Sequence, residues 1–338
     1  MEKMKPRVAI VMGDPAGIGP EIAVRAIASP EIQQLCEPLV IGDARVVQKA
    51  LAVAREKLSL RSLRQISEWA PRSSRTGTVN VLDTRNVDTD QLVVGKASVI
   101  GGRAVFEDIQ LAVKLAGEKQ VDGFVAGPHN KYSVNMAGVA FAGYPPFLAK
   151  LTGSRYAFNM LISGSIRVVG ATLHLPLKDV SQALTPDLIM GCIEAVQVAL
   201  RRLNIPGPRI AVAGLNPHCG EEGLFGSEEQ TVIGPAIEAA RARGIDVSGP
   251  FPADSLFVAL GEKQDFDAYV AMYHDQSHIG IKTVAFDSIA GIIIGIPLVV
   301  ATVGHGTAFE IAGKGMANAG PMMETIKLVA RSAQGTGR

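Results

Sequence analysis

Strand-length apolar runs recur along the whole chain, and they are continuous rather than alternating: RVAIVMG from Arg7, PLVIGD from Pro38, VNVLDT from Val79, DGFVAG from Asp122, RIAVAGLN from Arg209 and DAYVAMY from Asp267. A strand that is apolar at every position buries both faces, which requires helices on both sides of its sheet. Helix-patterned stretches lie between the runs: PEIAVRAIA, Gly101 to Lys119, PDLIMGCIEAVQVALRRL, and Glu229 to Arg243. The alternation predicts an α/β fold around a largely parallel sheet. FNMLISGSIRVVGATLHL departs from it and reads as two strands about Ser163-Gly164-Ser165, an antiparallel hairpin. SIAGIIIGIPLVVATVG, from Ser288 to Gly304, is broken by glycines and Pro297. It falls short of the ~20 residues of a spanning helix, so two buried strands are expected. SLRSLRQISEWAPRSSRTG, between Leu58 and Gly77, reads as a solvated, mobile connection.

At ~150 residues per domain, 338 residues suggest two domains. The net charge of +1 argues against a nucleic-acid or anionic-membrane partner. Cys36, Cys192 and Cys219 are too few and too dispersed for a disulfide framework, and the N-terminal MEKMKPRVAIVMGD lacks the apolar core of a signal peptide, so a cytoplasmic location is expected.

The histidines occupy turn-rich or strand-end positions. His174 ends VVGATLHL, His218 follows AVAGLNP and His274 follows AYVAMY. In α/β sheets ligands bind beyond the carboxyl ends of the strands. Three imidazoles gathered there would bind a divalent metal with a coordination position open for substrate. Glu221, Glu222, Asp254 and Asp275 lie beside the same ends and suit orientation of a histidine or relay of a proton, with a helix N-cap the equal alternative for Asp254. Lys131 and Lys282 read either as contacts to an anionic substrate or as proton-transfer groups, against an ordinary exposed lysine. Two glycine-bearing segments suggest a nucleotide: GDPAGIGPEIAVRA, a strand-turn-helix passage with Pro20 and Glu21 at the helix start, and GHGTAFEIAGKGMANAG, where Glu310 could accept ribose hydroxyls.

GDPAGIGPEI, GPHNKYSVNMAGVAFAGY, TLHLPL, GLNPHCGEEGLFGSEE, GPFPADSLF, MYHDQSHIGIK and GHGTAFEIAGKG together resemble the 4-hydroxythreonine-4-phosphate dehydrogenase family over nearly the whole chain. More distantly, GIGPE and HGTAFEIAGKGMAN look like the isopropylmalate and isocitrate dehydrogenases. The resemblance implies two α/β/α domains with the active site in the cleft between them. Residues 1–125 and 290–338 would form the NAD-binding domain, and 126–289 the metal, substrate and dimerisation domain. It places the metal on His174, His218 and His274, shared across a homodimer interface. Zinc is the first choice of ion, with cobalt or nickel also accepted by three imidazoles and manganese or magnesium admitted if aspartates join them. It puts a substrate contact on Lys282, leaves Asp254, Asp275 and Lys131 as catalytic candidates, and assigns NAD to His305, Gly306, Thr307, Ala308, Glu310 and Asn318.

Departures from that family point to a particular branch. Tyr144-Pro145 replaces its His-Thr, Gly291 its Asn and Val300 its Arg, while Val303 to Gly306 read Val-Gly-His-Gly, as in the terephthalate 1,2-cis-dihydrodiol dehydrogenases. With a phosphate-binding Arg gone, Val300 is expected to form an apolar wall and Tyr144 to face a planar ring. The expected reaction is NAD- and metal-dependent oxidation, with decarboxylation, of an unphosphorylated cis-dihydrodiol carboxylate in aromatic catabolism. The alternatives are 4-hydroxythreonine 4-phosphate in pyridoxal phosphate synthesis, a phospho-tetronate, or a catalytically silent ligand-binding relative.

Overall fold

In a computed structural model, which describes residues 4–69, 77–261, 265–285 and 289–335, the apolar runs become strands and the stretches between them helices. The chain begins with β1 (Arg7–Val11), α1 (Gly19–Ala28), α2 (Pro30–Leu35), β2 (Glu37–Gly42), α3 (Ala44–Ala54), β3 (Ser59–Leu63), β4 (Thr78–Asp83), α4 (Val99–Gly117), β5 (Gly123–Ala126) and α5 (Lys131–Met136). It continues with α6 (Tyr144–Thr152), β6 (Phe158–Ser163), β7 (Ile166–Gly170), α7 (Leu177–Ala183), α8 (Pro186–Arg202), β8 (Ile210–Ala213), α9 (Gly234–Ala242), β9 (Val247–Phe251), α10 (Ala253–Leu256), β10 (Ala268–Ala271), α11 (His274–Ala285) and β11 (Ala290–Ile294). It closes with β12 (Val300–Val303) and α12 (Gly320–Gln334). Helix starts follow their capping residues: Asp43, Ser98, Asn130 and Thr185 each accept a backbone N–H of the first turn they precede.

Two compact units result, Met1–Gly143 with Leu298–Arg338, and Tyr144–Pro297. In the first, the strands run in the order β3-β4-β2-β1-β5-β12 and every pair is parallel. In the second the order is β11-β6-β7-β10-β8-β9. There β6 pairs antiparallel with β7 across the Gly164-Ser165 turn, as the hairpin pattern predicts, and also with β11, while β7, β10, β8 and β9 are mutually parallel. The second core is built on Leu161, Val168, Ala211, Leu260, Tyr269 and Ile281.

Two features differ from the sequence reading. The compact units divide at 143 and 298, where the sequence reading draws limits at 125 and 290. Gly102 of α4 and Ser133 of α5 press backbone to backbone, so a Cβ on Gly102 would lie 1.9 Å from the Ser133 carbonyl oxygen. At the other end, β11 pairs in full register with β6, from Ala290 opposite Ile162 to Ile294 opposite Phe158. The supposed connection after Leu58 contains β3, which pairs with β4 from Ser59 opposite Thr78 onward, and Trp69 beyond it is buried; residues 70–76 lie outside the described residues. Among the described residues no single helix is long and apolar enough to cross a membrane.

Among the groups of the first unit that burial shifts, Asp108 titrates in a range that bears on stability near neutral pH. Asp108, on the inner face of α4, is fully buried and accepts a hydrogen bond from Asn86 Nδ2 at 2.9 Å. Desolvation pushes its carboxyl up to about 7. Between the ordinary carboxylate value near ~4 and that value, the folded protein holds a proton the unfolded chain has released, so stability falls as pH rises and levels off above about 7. Asp108→Asn keeps the acceptor and removes the ionisation. It should raise stability at pH 8 by roughly 2–4 kcal/mol while changing little at pH 4. Denaturant midpoints that shift equally at both pH values would refute the assignment.

Candidate active site

Four neighbouring parallel strands of the second unit, β7, β10, β8 and β9, release the chain on one side of the sheet. Register fixes their relative positions, with Gly170 opposite Ala271, Val270 opposite Val212 and Ala213 opposite Phe251. His174 follows β7, His274 follows β10, His218 follows β8 and Asp254 follows β9. Along this carboxyl edge the order is therefore His174, His274, His218, Asp254, at the place where open α/β sheets bind ligands. The exits are tied to one another. Thr172 donates through both N and Oγ1 to the Met272 carbonyl. Gln276 accepts from Met272 N at 2.9 Å and donates to the Gly214 carbonyl at 3.0 Å. Gly214 N donates to Phe251 O at 2.8 Å.

The His174 and His274 rings lie 5.9 Å apart between centroids. His274 Nδ1 is 2.7 Å from Asp275 Oδ1, and His218 Nδ1 is 3.1 Å from Glu221 Oε2. A carboxylate on Nδ1 holds the proton there and leaves Nε2 as the lone-pair donor, the tautomer a metal-ligating imidazole requires. In chemistry and orientation these side chains suit a divalent cation. Among the described residues of one chain, however, no three His, Cys, Asp or Glu side chains are gathered closely enough to hold one.

Helix α11 extends the site. His274, His278 and Lys282 are spaced at i, i+4 and i+8 on one helix face. The His278 ring stacks on His274 at 3.8 Å, and its Nδ1 lies 2.9 Å from the His274 carbonyl oxygen. Burial, with His274 adjoining, lowers the His278 imidazole to about 4, so it is neutral at pH 7. Sequence reasoning left His278 and Gln276 without roles. The helical spacing from His274 to Lys282 was the available signal for His278; for Gln276 there was none.

The turn carrying His218 is strained. From His218 to Glu222 the φ angles are 52°, 55°, 80°, 43° and 55°, and only the third belongs to a glycine. Left-handed backbone costs about 1–2 kcal/mol per non-glycine residue, and such outliers persist where surroundings over-determine them.

Other candidates are placed differently from expectation. Asp254 lies within the first turn of α10, after Pro252 at the cap position, and is exposed, so it is no N-cap. Lys131 is exposed at the start of α5, in the first unit rather than with the histidines of the second. Val300 has no exposed surface; it pairs with Phe124 inside the parallel sheet and forms no wall of a pocket. Gly291 is likewise inside a buried strand, opposite Leu161. Tyr144 opens α6 with 5% of its surface exposed, so its ring offers no face to a ligand.

In the first unit the two glycine-bearing segments meet. Ile18 N donates to the Thr307 carbonyl at 3.0 Å, and a Cβ on Gly17 would stand 2.9 Å from the Thr307 Cβ. Glu21, nearly buried, accepts from Ala317 N at 3.0 Å, and Arg25 donates to the Gly315 and Ala317 carbonyls. Residues 304–318 are thus bolted to the first strand-turn-helix passage. Thr307 is buried, while Gly306 and Glu310 are exposed. His305 Nδ1 contacts the Gly306 carbonyl at 3.0 Å, Ala308 takes a φ of 40°, and Asn318 is spent on accepting from Gly320 N at the start of α12.

Residues 34–329 match the family described as pyridoxal phosphate biosynthetic protein PdxA. The D-threonate 4-phosphate dehydrogenase of Cupriavidus necator is 40% identical over 330 residues, covering 97% of each chain. The crystal structure of a 4-hydroxythreonine-4-phosphate dehydrogenase from Burkholderia phymatum superposes with a TM-score of 0.85 at 36% identity, over 98% of this chain and 99% of the other. A terephthalate 1,2-cis-dihydrodiol dehydrogenase from Burkholderia xenovorans is less similar, with a TM-score of 0.71 and 33% identity over 96% and 98%. The expectation that the departures at Tyr144, Gly291, Val300 and Gly304 place the chain beside the terephthalate enzymes is therefore not upheld. Matched from residue 34 to 329 and aligned with these dehydrogenases over nearly its full length, the chain belongs to the PdxA family and is an oxidoreductase.

Proposed function

We propose that this protein oxidises the secondary hydroxyl of a phosphorylated four-carbon acid, D-threonate 4-phosphate or 4-hydroxythreonine 4-phosphate, using NAD and a divalent cation. The observation that carries the reading is the row His174, His274, His218, Asp254 on adjoining strand ends. Together with NAD as hydride acceptor, a cation held by His174, His218 and His274 would supply Lewis acidity that lowers the pKa of a substrate hydroxyl. Asp275 and Glu221 orient two of those imidazoles. Lys282, exposed two turns along α11 from His274, offers a cation to an acidic substrate. Asp254, exposed at the end of the row, takes up the hydroxyl proton in this reading. The 304–318 segment holds the dinucleotide, with Glu310 accepting ribose hydroxyls and repelling a 2′-phosphate. Lys131 is a further candidate for proton transfer.

A homodimer completes the site in this reading. Leu175, Leu177, Leu224, Phe225 and Ile279 flank the histidines in sequence and are between 43% and 73% exposed, apolar side chains that a second copy would cover. The phosphorylated substrate is favoured over the aromatic diol for two reasons. The named relatives with higher identity act on phosphorylated compounds. The argument for the diol rested on Val300 as an apolar wall and Tyr144 as a ring contact, and both side chains are buried.

The test is NADH absorbance with purified protein on D-threonate 4-phosphate, 4-hydroxythreonine 4-phosphate and terephthalate cis-dihydrodiol, with carbon dioxide release measured in parallel. One phosphorylated compound should lead the diol at least tenfold in kcat/KM, with NAD preferred over NADP. Faster turnover of the diol would reject the phosphate reading.

A further inference from the structure

Glu229 is a buried carboxylate next to the turn that carries His218. It opens a short π-type turn, Glu229–Ile233, ahead of α9, and only 4% of its surface is exposed. Its Oε1 accepts from Leu215 N at 2.8 Å and Asn216 N at 2.7 Å, and its Oε2 accepts from Asn216 Nδ2 at 3.0 Å. The carboxylate also packs against backbone on either side of His218: a Cβ on Gly214 would lie 3.0 Å from Oε1, and one on Gly220 2.9 Å from Oε2. Asn216 Nδ2 is held in turn by Glu228, whose other oxygen accepts from Ser181 in α7. From Asn216 the left-handed run departs, with Cys219 N donating to the Asn216 carbonyl at 3.2 Å and Phe225 N to the Gly220 carbonyl at 3.0 Å.

A carboxylate that takes two successive backbone N–H groups leaves them no water or sheet partner to revert to, because an unmade bond there strands a buried donor. The strained run that follows is thereby given a fixed starting direction. We infer that Glu229 is a positioning residue: it locks the Leu215-Asn216 corner so that the left-handed turn presents His218 at the carboxyl edge beside His274. This rests on the proposal that His218 binds a metal, and it adds a determinant of where that imidazole stands. Glu229 itself touches neither substrate nor cofactor. Groups that orient a metal ligand are worth 10–100-fold in metal affinity, about the range expected here.

The experiment is titration of the full-length, metal-stripped protein with Co2+ alone, by calorimetry, alongside amide hydrogen exchange over residues 215–222. Glu229→Ala should bind Co2+ about 10–100-fold more weakly and lose protection at those amides, while Tm and circular dichroism show the fold retained. Glu229→Gln keeps an oxygen for both amides and should fall between Glu229→Ala and the unmodified protein. If Glu229→Ala does not fold, Glu229→Gln decides alone: several-fold weaker Co2+ binding supports the inference and unchanged binding overturns it. Unchanged affinity in Glu229→Ala, where His218→Ala loses it, overturns the positioning role and leaves the metal reading standing. Unchanged affinity in His218→Ala overturns both.

Discussion

His274→Ala is expected to abolish turnover while leaving the protein folded. The side chain is 38% exposed and sits at the first position of α11, so truncation removes little packing. Its chemistry is another matter. The imidazole stands between the His174 ring and the stacked His278 ring, with Nδ1 held by Asp275. On the proposal that His274 is one of three metal ligands, its loss forfeits several kcal/mol of charge stabilisation, about a thousandfold or more in kcat/KM. Asp275→Asn should be milder, about 10–100-fold, because the imidazole remains and only its orientation and basicity change. Metal content measured on the same samples separates the cases. A His274→Ala enzyme that keeps a tenth of its activity and a full complement of metal would remove this residue from the site.

The second large effect is on folding. Gly102→Ala introduces a Cβ 1.9 Å from the Ser133 carbonyl oxygen and 2.3 Å from its carbon, both backbone atoms of α5 that cannot rotate away. The helices must separate. That opens the packing that joins residues 131–136 to the first unit, at a cost of about 3 kcal/mol or more. Gly117, at the far end of the same helix, has nothing within 4 Å of its own ideal Cβ. Gly117→Ala should therefore be neutral or stabilising by up to about 1 kcal/mol. Equal denaturation midpoints for the two variants would mean that the α4–α5 contact is not the constraint it looks.

Most of the architecture was legible because buried parallel strands carry a mostly continuous apolar run, as in β1, β2, β4, β5, β8 and β10. The pattern fails where burial fails. β3 reads SLRSL, an edge strand with a single pairing partner and mostly exposed residues, so charge and serine disguised it as a connection. β9 reads VSGPF, whose Ser-Gly-Pro breaks the apolar run. The strand-end rule picked out His174, His218 and His274, and they do follow adjoining strands of one sheet, because that placement depends on chain order alone. Val300 and Gly291 misled for the opposite reason. A departure from a family pattern says that a residue differs, whereas its distance from a substrate depends on packing the pattern does not contain. The left-handed run at His218 was equally hidden, since HCGEEG holds a single glycine between His218 and Glu222 and its conformation is imposed from Glu229, well along the chain.

The first unit is discontinuous in sequence, closing with β12 against β5, while the second is one unbroken stretch from Tyr144 to Pro297. During synthesis this sets an order of assembly. The ribosome releases five strands of the first sheet and then all of the second unit before the strand that covers β5 exists. Until Val300 to Val303 emerge, Phe124, Val125 and Ala126 present an open, wholly apolar edge. Such an edge templates association between nascent chains. The second unit, whose strand pairs all lie between Tyr144 and Pro297, can close before β12 arrives, and until then this edge is the growing chain's exposed liability.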